Sequence, residues 1–354
     1  MLFGARIFKT GLAVTLSMFI CNYFNIQPAI FAGAATVLNM QPSLGLSFKN
    51  ALEQILVSVV AIILAIALGL ILGNNVLIMG LATILVIFIC QRFKWRGALS
   101  GGVMASIFIL SSPAEQFIDH ALMRSIAIFI GVAVALIVNH TIAPPRYHQP
   151  LQKKLLELNT MIKDRFHEAV LAFLYLDIPS PEEQKEKQTQ IEQLFRETQK
   201  LHELYVYDIG PRSPEQAESD TPGNLSKFYD DYITYNKGMW QRARDVLFLA
   251  QERRERRKER GDLPISPEFQ AILDLLAETL DIFLKQNEAL QHKLEGQEAA
   301  SVEEMHIWSK LDKILNTWHN QFPSGSYHLH ALVEVSLITY KIRWGVKESA
   351  RLLS

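Results

Sequence analysis

Cysteine is almost missing from this sequence. Its 354 residues contain two, Cys21 and Cys90. They lie in separate apolar segments, which argues against a disulfide-stapled fold and against a paired-cysteine metal site. Catalytic signatures are missing as well. There is no GxxxxGKS/T phosphate loop, so nothing points to an ATP-driven pump, and there is no HExxH or GxSxG. The histidines at 167, 202, 292, 306, 319, 328 and 330 form no ligand pattern. The expectation is a protein with no catalytic residues, no metal and no cofactor, and therefore not an enzyme.

Charge is missing from one half only. Of 35 Lys and Arg and 36 Asp and Glu in the chain, residues 1–150 hold eight basic and three acidic ones. The remainder is charge-dense and mildly acidic, which argues against nucleic acid as a partner. This shift marks a boundary between residues 1–145, read as a transmembrane domain, and residues 146–354, read as a cytoplasmic helical domain. The expected fold class is all-α: a polytopic membrane protein of about six transmembrane helices followed by a cytoplasmic helical bundle.

What the first half does have is long apolar runs. Six segments are candidate spans: about 7–24, 26–41, 53–73, 75–91, 97–112 and 120–142. A bilayer core takes roughly 20 apolar residues per helix, so the short second and fifth segments suit half-spanning or tilted helices. The first run, flanked by Arg6 and Lys9, has the look of a leader, but five more apolar segments follow and no small-residue cleavage site does. Arg6 and Lys9, then Lys49, then Arg92, Lys94 and Arg96, then Arg146, Lys153 and Lys154 all fall on one side of a six-span chain. The positive-inside rule puts that side, both termini and the second half in the cytoplasm.

Small residues recur every four positions at Ala61, Ala65, Gly69 and Gly73, at Gly97, Gly101 and Ala105, and at Ala127, Gly131 and Ala135. Such smooth faces let helix backbones approach closely in lipid, within one bundle or between copies of the chain. Ionisable groups in a bilayer are costly, and each is a candidate site. Arg124 lies about a turn into the sixth span, with Asp119 and Glu115 just before it. It is read either as a snorkelling or ion-paired helix end, or as a vestibule residue that attracts an organic anion. Asn39 and Gln41 close the second span, and Glu53 with Gln54 opens the third. These are read either as an inner mouth or as a turn at Pro42 followed by a carboxylate at a helix N-terminus. Asn139 and His140 are read as interfacial polar residues.

The second half reads as about six long antiparallel helices. Leu151, Leu155, Leu158, Ile162 and Phe166 form an amphipathic stripe. Ser180-Pro181-Glu182-Glu183, Ser266-Pro267-Glu268 and Ser301-Val302-Glu303-Glu304 are helix starts, and the stretches 210–214, 220–224 and 261–264 are loops. The basic run Arg253–Arg260 is read as the solvated end of a helix, with anionic lipid headgroups as the other reading. Tyr229, Tyr232, Tyr235, Trp240, Trp308, Trp318, Tyr340 and Trp344 are expected in the core, an aromatic-ligand pocket being the other reading.

The second span and its exit, Gln27-Pro28-Ala29-Ile30-Phe31-Ala32-Gly33 running to Asn39-Met40-Gln41-Pro42-Ser43, together with the six-span layout, resemble the aromatic acid exporter family of the fusaric-acid-resistance-like superfamily. The second half looks like the helical domain paired with this module in half-length bacterial members. The resemblance implies efflux of aromatic or related organic acids across the bacterial cell membrane, energised by the proton gradient. One copy of the unit, where full-length relatives have two, implies a homodimer or higher homo-oligomer. A passive organic-anion channel, similar to the plant aluminium-activated malate transporters, and a membrane-anchored scaffold or sensor are the alternatives.

Overall fold

Among the described residues of a computed structural model, every element is a helix. These residues are 5–73, 75–95, 97–113, 117–142, 146–209, 222–262, 264–297, 310, 313–314, 316–317 and 326–354. The readings placed on Glu115, Arg96, Ser301–Glu304, Trp308, Trp318, His306, His319 and the stretches 210–214 and 220–221 lie outside them. Two compact units are defined, Met1–Arg146 with Leu204–Pro211, and Tyr147–Glu203 with Arg212–Ser354.

The first unit contains α1 (Ala5–Tyr23), α2 (Ile30–Asn39), α3 (Leu44–Leu72), α4 (Val76–Arg92), α5 (Leu99–Leu110) and α6 (Phe117–Thr141). Five of these match the expected apolar segments closely. The third does not, because α3 begins at Leu44 rather than near residue 53. Ser43 caps it, its hydroxyl accepting from the Leu46 N–H at 3.0 Å. The polar residues of its first turns, among them Ser47, Lys49, Asn50 and Glu53, carry no apolar periodicity and read as a loop. Lys49 is therefore helical, and Glu53 lies well inside α3 rather than at its N-terminus.

α3 and α6 are each long and apolar enough to cross a membrane, while α2, α4 and α5 are shorter apolar helices. α2 has ten residues, about 15 Å of rise, half of a hydrocarbon core of about 30 Å. The outer surface of the unit is apolar: Ile63, Leu70, Ile71, Leu77, Phe88, Phe129 and Ile137 are all exposed. Such a continuous exposed apolar surface belongs in lipid rather than water.

The small-residue stripes are mostly used inside this unit. Ala61, Ala65, Gly69, Ala127, Gly131 and Ala135 are buried. A Cβ at Gly131 would stand 2.3 Å from the Ala32 carbonyl oxygen, so only glycine lets α6 and α2 approach this closely. A Cβ at Gly69 would meet the Phe117 ring at 2.5 Å. Gly73 instead ends α3 with a φ of +84°, a conformation that favours glycine. The stripe on α5 is offset: Gly97 precedes the helix and is exposed, Gly101 is half-buried, and Gly102, Ala105 and Ser106 face inward.

The second unit contains α7 (His148–Tyr175), α8 (Pro181–Ile209, its last turn counted with the first unit), α9 (Pro222–Glu259), α10 (Pro267–Leu294) and α11 (Ser326–Leu353). α7 packs on α9 and α10, and α11 packs on α9 and α10. The expected stripe from Leu151 to Phe166 is fully buried, and Phe166 meets Phe283 with ring centroids 4.9 Å apart. Ser180 and Ser266 cap α8 and α10 through the N–H groups of Glu183 and Phe269. Tyr229, Tyr232, Tyr235 and Trp240 are buried as expected, whereas Tyr340 is exposed. The basic run is not simply solvated. Arg253 is buried and donates to the Phe173 carbonyl, which satisfies the C-terminus of α7, and Arg256 pairs with Glu334.

Candidate functional site

α2 and α6 pack along their lengths, and two polar loci lie at the ends of this seam. The first is built on Arg124. It is 2% exposed, so it neither snorkels nor finishes a helix end. Its guanidinium carbon sits 3.8 Å from the centroid of the Phe31 ring of α2 and 5.5 Å from that of Phe108 of α5. The two rings meet edge to face, with centroids 4.7 Å apart. The Nε and Nη1 atoms of Arg124 are buried and have no hydrogen-bond partner among the described residues. Asp119 is exposed, and no ion pair joins it to Arg124 among the described residues.

The cation–π contacts contribute about 0.5–2 kcal/mol each. They do not satisfy N–H donors, and an unpaired buried charge costs several kcal/mol. Among the described residues, the arrangement leaves two donors of the guanidinium free for an acceptor. A carboxylate can take two parallel N–H groups from a guanidinium, and an aromatic ring attached to it suits the neighbouring faces of Phe31 and Phe108.

The second locus gathers at the other end of the seam. Lys9 of α1 is buried, and its Nζ donates to the Asn139 Oδ1 of α6 at 2.6 Å. Asn139 Nδ2 in turn donates to Ser47 Oγ at 2.8 Å and to the Gln41 carbonyl at 3.1 Å. Beside them Asn39 Nδ2 donates to Gln54 Oε1 at 2.5 Å, while Asn39 Oδ1 is buried without a partner among the described residues. Arg6 Nη2 reaches the Met40 carbonyl at 3.4 Å. Between the two loci the Thr36 hydroxyl lies 2.9 Å from Ser17 Oγ and 3.0 Å from the Gly131 carbonyl oxygen.

Among the predicted site residues, Arg124 stands alone at one end, while Asn39 and Gln41 share the other. Glu53 does not join them. It is half-buried, and its Oε2 lies 3.4 Å from where a Gly97 Cβ would stand. Gln54 takes the place beside Asn39. Lys9, Asn139, Ser47, Phe31 and Phe108 were not singled out from sequence as site residues. Lys9 reads as a flanking charge and Asn139 as interfacial because their partners lie 130 positions apart in the chain.

In the second unit a groove of about 650 Å³ on α9 and α11 is lined by Arg242, Tyr340, Lys341, Trp344 and Lys347, among others. One face of Trp344 is covered by the Arg242 guanidinium at 3.4 Å and Tyr235 is stacked parallel to it at 5.9 Å, so the ring is a packing element there.

The apolar outer surface of this helical unit suits a membrane. Residues 1–142 match the family described as aromatic acid exporter family member 1, which bears out the resemblance read from Gln27 to Ser43. Residues 1–142 are thus similar to an aromatic acid exporter family module, which points to a membrane location. One relative extends much further along the chain. The UPF0421 protein YgaE of Bacillus subtilis is 29% identical over 295 residues, covering 83% of this chain and 78% of its own length. A UPF0421 protein of Bacillus cereus is 29% identical over 144 residues, 41% of this chain and 40% of its own length. One of Staphylococcus epidermidis is 27% identical over 153 residues, 43% of this chain and 46% of its own.

Proposed function

We propose that this protein exports aromatic or related organic acids across the bacterial cell membrane, driven by the proton gradient, with Arg124 binding the substrate carboxylate. The single observation that carries this reading is the buried guanidinium between Phe31 and Phe108 with two donors unmet. The match of residues 1–142 to an exporter family supports it. The reading takes α1 to α6 as six membrane segments, the short α2 and α5 included, with both termini and the second unit in the cytoplasm. The clustering of Lys and Arg at alternate inter-segment positions supports that orientation. It also takes the chain to work as a homodimer or higher homo-oligomer, because one six-segment module is half of a full-length family member.

The burial of Arg124 favours an exporter over a passive channel. A continuously open anion pore would expose its fixed charge to water, and Arg124 is closed off by Phe31. The test is flux of radiolabelled p-hydroxybenzoate in proteoliposomes holding the purified full chain, with and without an imposed pH gradient. The exporter reading expects gradient-driven accumulation that Arg124→Ala removes. Flux indifferent to the pH gradient would make the protein a channel. Absence of flux for any acid tried would leave a scaffold or sensor.

A further inference from the structure

The polar locus at the far end of the α2–α6 seam has the same defect as the Arg124 site: a buried cation without an anion. Lys9 is 6% exposed, and the Asn139 side-chain oxygen is its hydrogen-bond acceptor among the described residues. An ammonium has three donors, and a neutral amide oxygen occupies one of them. No carboxylate forms an ion pair with Lys9 among the described residues, and Arg6, the nearest charged group affecting it, is also positive. Burying a charge without a counter-ion costs several kcal/mol, so an anion from outside the fold would stabilise this site.

The placement of the two cations relates them. Arg124 and Asn139 are both buried on α6. They are 15 positions apart, about 22 Å along the helix and only about 60° around it. Both therefore face α2, and both lie near the ends of a helix long enough to cross a bilayer. The backbone between them is lined by Ala127, Gly131 and Ala135, with the Thr36 and Ser17 hydroxyls alongside. α2, which forms the other wall, ends at Met40 with φ −78° and ψ +71°, outside helical geometry. Non-helical backbone at membrane depth is tolerated where it faces protein or a watery cavity.

We propose that Lys9, held by Asn139, is a second carboxylate-binding station, so that an organic acid anion binds a buried cation at each end of the α2–α6 seam. This rests on the reading of Arg124 as an anion-binding residue. The ligand class is a monocarboxylate whose single negative charge matches each lone cation in turn. Asn139 is a positioning residue: its oxygen holds the Lys9 ammonium at the seam, and its amide is itself held by Ser47 and Gln41.

The experiment measures concentration-dependent uptake of radiolabelled benzoate into right-side-out and inside-out membrane vesicles carrying the full chain. Lys9→Gln is expected to raise the half-saturating benzoate concentration about tenfold or more at one face, the loss expected of a buried charge-assisted pair. The face affected is the one opposite to that affected by Arg124→Gln. Lys9→Arg keeps the charge and is expected to stay within about threefold of the unsubstituted chain. Asn139→Asp gives Lys9 an internal counter-ion and strengthens the local structure; it is expected to produce the same one-sided loss as Lys9→Gln. Unchanged half-saturation at both faces for Lys9→Gln and Asn139→Asp, with a loss in Arg124→Gln, would overturn the second station and leave the Arg124 reading standing. An equal loss at both faces for Lys9→Gln would overturn it too, as would failure of Lys9→Arg to retain affinity. Absence of benzoate flux in the unsubstituted chain would overturn both readings together.

Discussion

The two units solve the same packing problem in opposite environments. In the first, large apolar side chains such as Ile63, Leu77 and Phe129 point outward while small residues such as Ala61, Ala127 and Gly131 are buried. In the second, large apolar residues such as Leu155, Phe166 and Phe283 fill the interior. Charge is inverted in the same way. The second unit holds several of its cations in ion pairs, including Lys154 with Glu197, Lys187 with Glu168 and Lys341 with Asp245. Lys9 and Arg124 of the first unit are buried with no carboxylate partner among the described residues. In water an ion pair is a modest stabiliser. In lipid an unpaired cation is costly, which makes each of the two a candidate site.

This contrast can be broken by substitution, and the largest effect belongs to the second unit's core. Phe166→Ala should destabilise that unit by about 3–5 kcal/mol, read by thermal or urea unfolding of the purified chain. Ile63→Ala, at 62% exposure in the first unit, should leave unfolding in detergent nearly unchanged. Equal costs at the two positions would mean that the first unit has an ordinary buried core. Arg124→Gln comes next. It should weaken carboxylate binding by about 2–4 kcal/mol, measured as the rise in half-saturating p-hydroxybenzoate, and Arg124→Lys should recover part of it. Gly131→Val should cost about 1–3 kcal/mol by forcing α6 off the Ala32 carbonyl, read as lowered thermal stability in detergent.

The smallest effect is that of a half-buried surface pair, Glu168 with Lys187. Burial of Glu168 works against its ionisation, but hydrogen bonds from Lys187 and Arg165 outweigh it and hold the carboxyl below its ordinary value. A depressed carboxylate stabilises the fold above the unfolded pKa, near 4.3, and loses that contribution as pH falls through the folded value. Glu168→Gln should therefore cost about 0.2–1 kcal/mol at pH 7 and progressively less below about pH 4. A cost independent of pH would mean that the carboxylate charge plays no part.

Much of this architecture was legible in the sequence because it is local. Apolar runs outlined five helices of the first unit, and the α7 stripe and the Ser180 and Ser266 caps outlined helices of the second. The start of α3 was not legible, since Ser47, Lys49, Asn50 and Glu53 are polar and helical at once. The basic run at Arg253 misled because its buried guanidinium answers carbonyls on another helix. Arg124 stood out as a charge within an apolar run, but its burial under Phe31 depends on α2 and α6 approaching across Gly131, a tertiary event. Lys9 gave no signal at all, because a cation before an apolar run is ordinary and its partner Asn139 is distant in the chain.

The most direct measurement is calorimetric binding of p-hydroxybenzoate and of its neutral analogue p-hydroxybenzamide to the purified full chain and to Arg124→Gln. The account predicts that the acid binds the unsubstituted chain, that Arg124→Gln weakens it by about thirtyfold or more, on the order of 2 kcal/mol or above, and that the amide binds weakly and alike to both. Binding of the acid with equal affinity to both proteins would contradict the claim that the buried guanidinium is the carboxylate site.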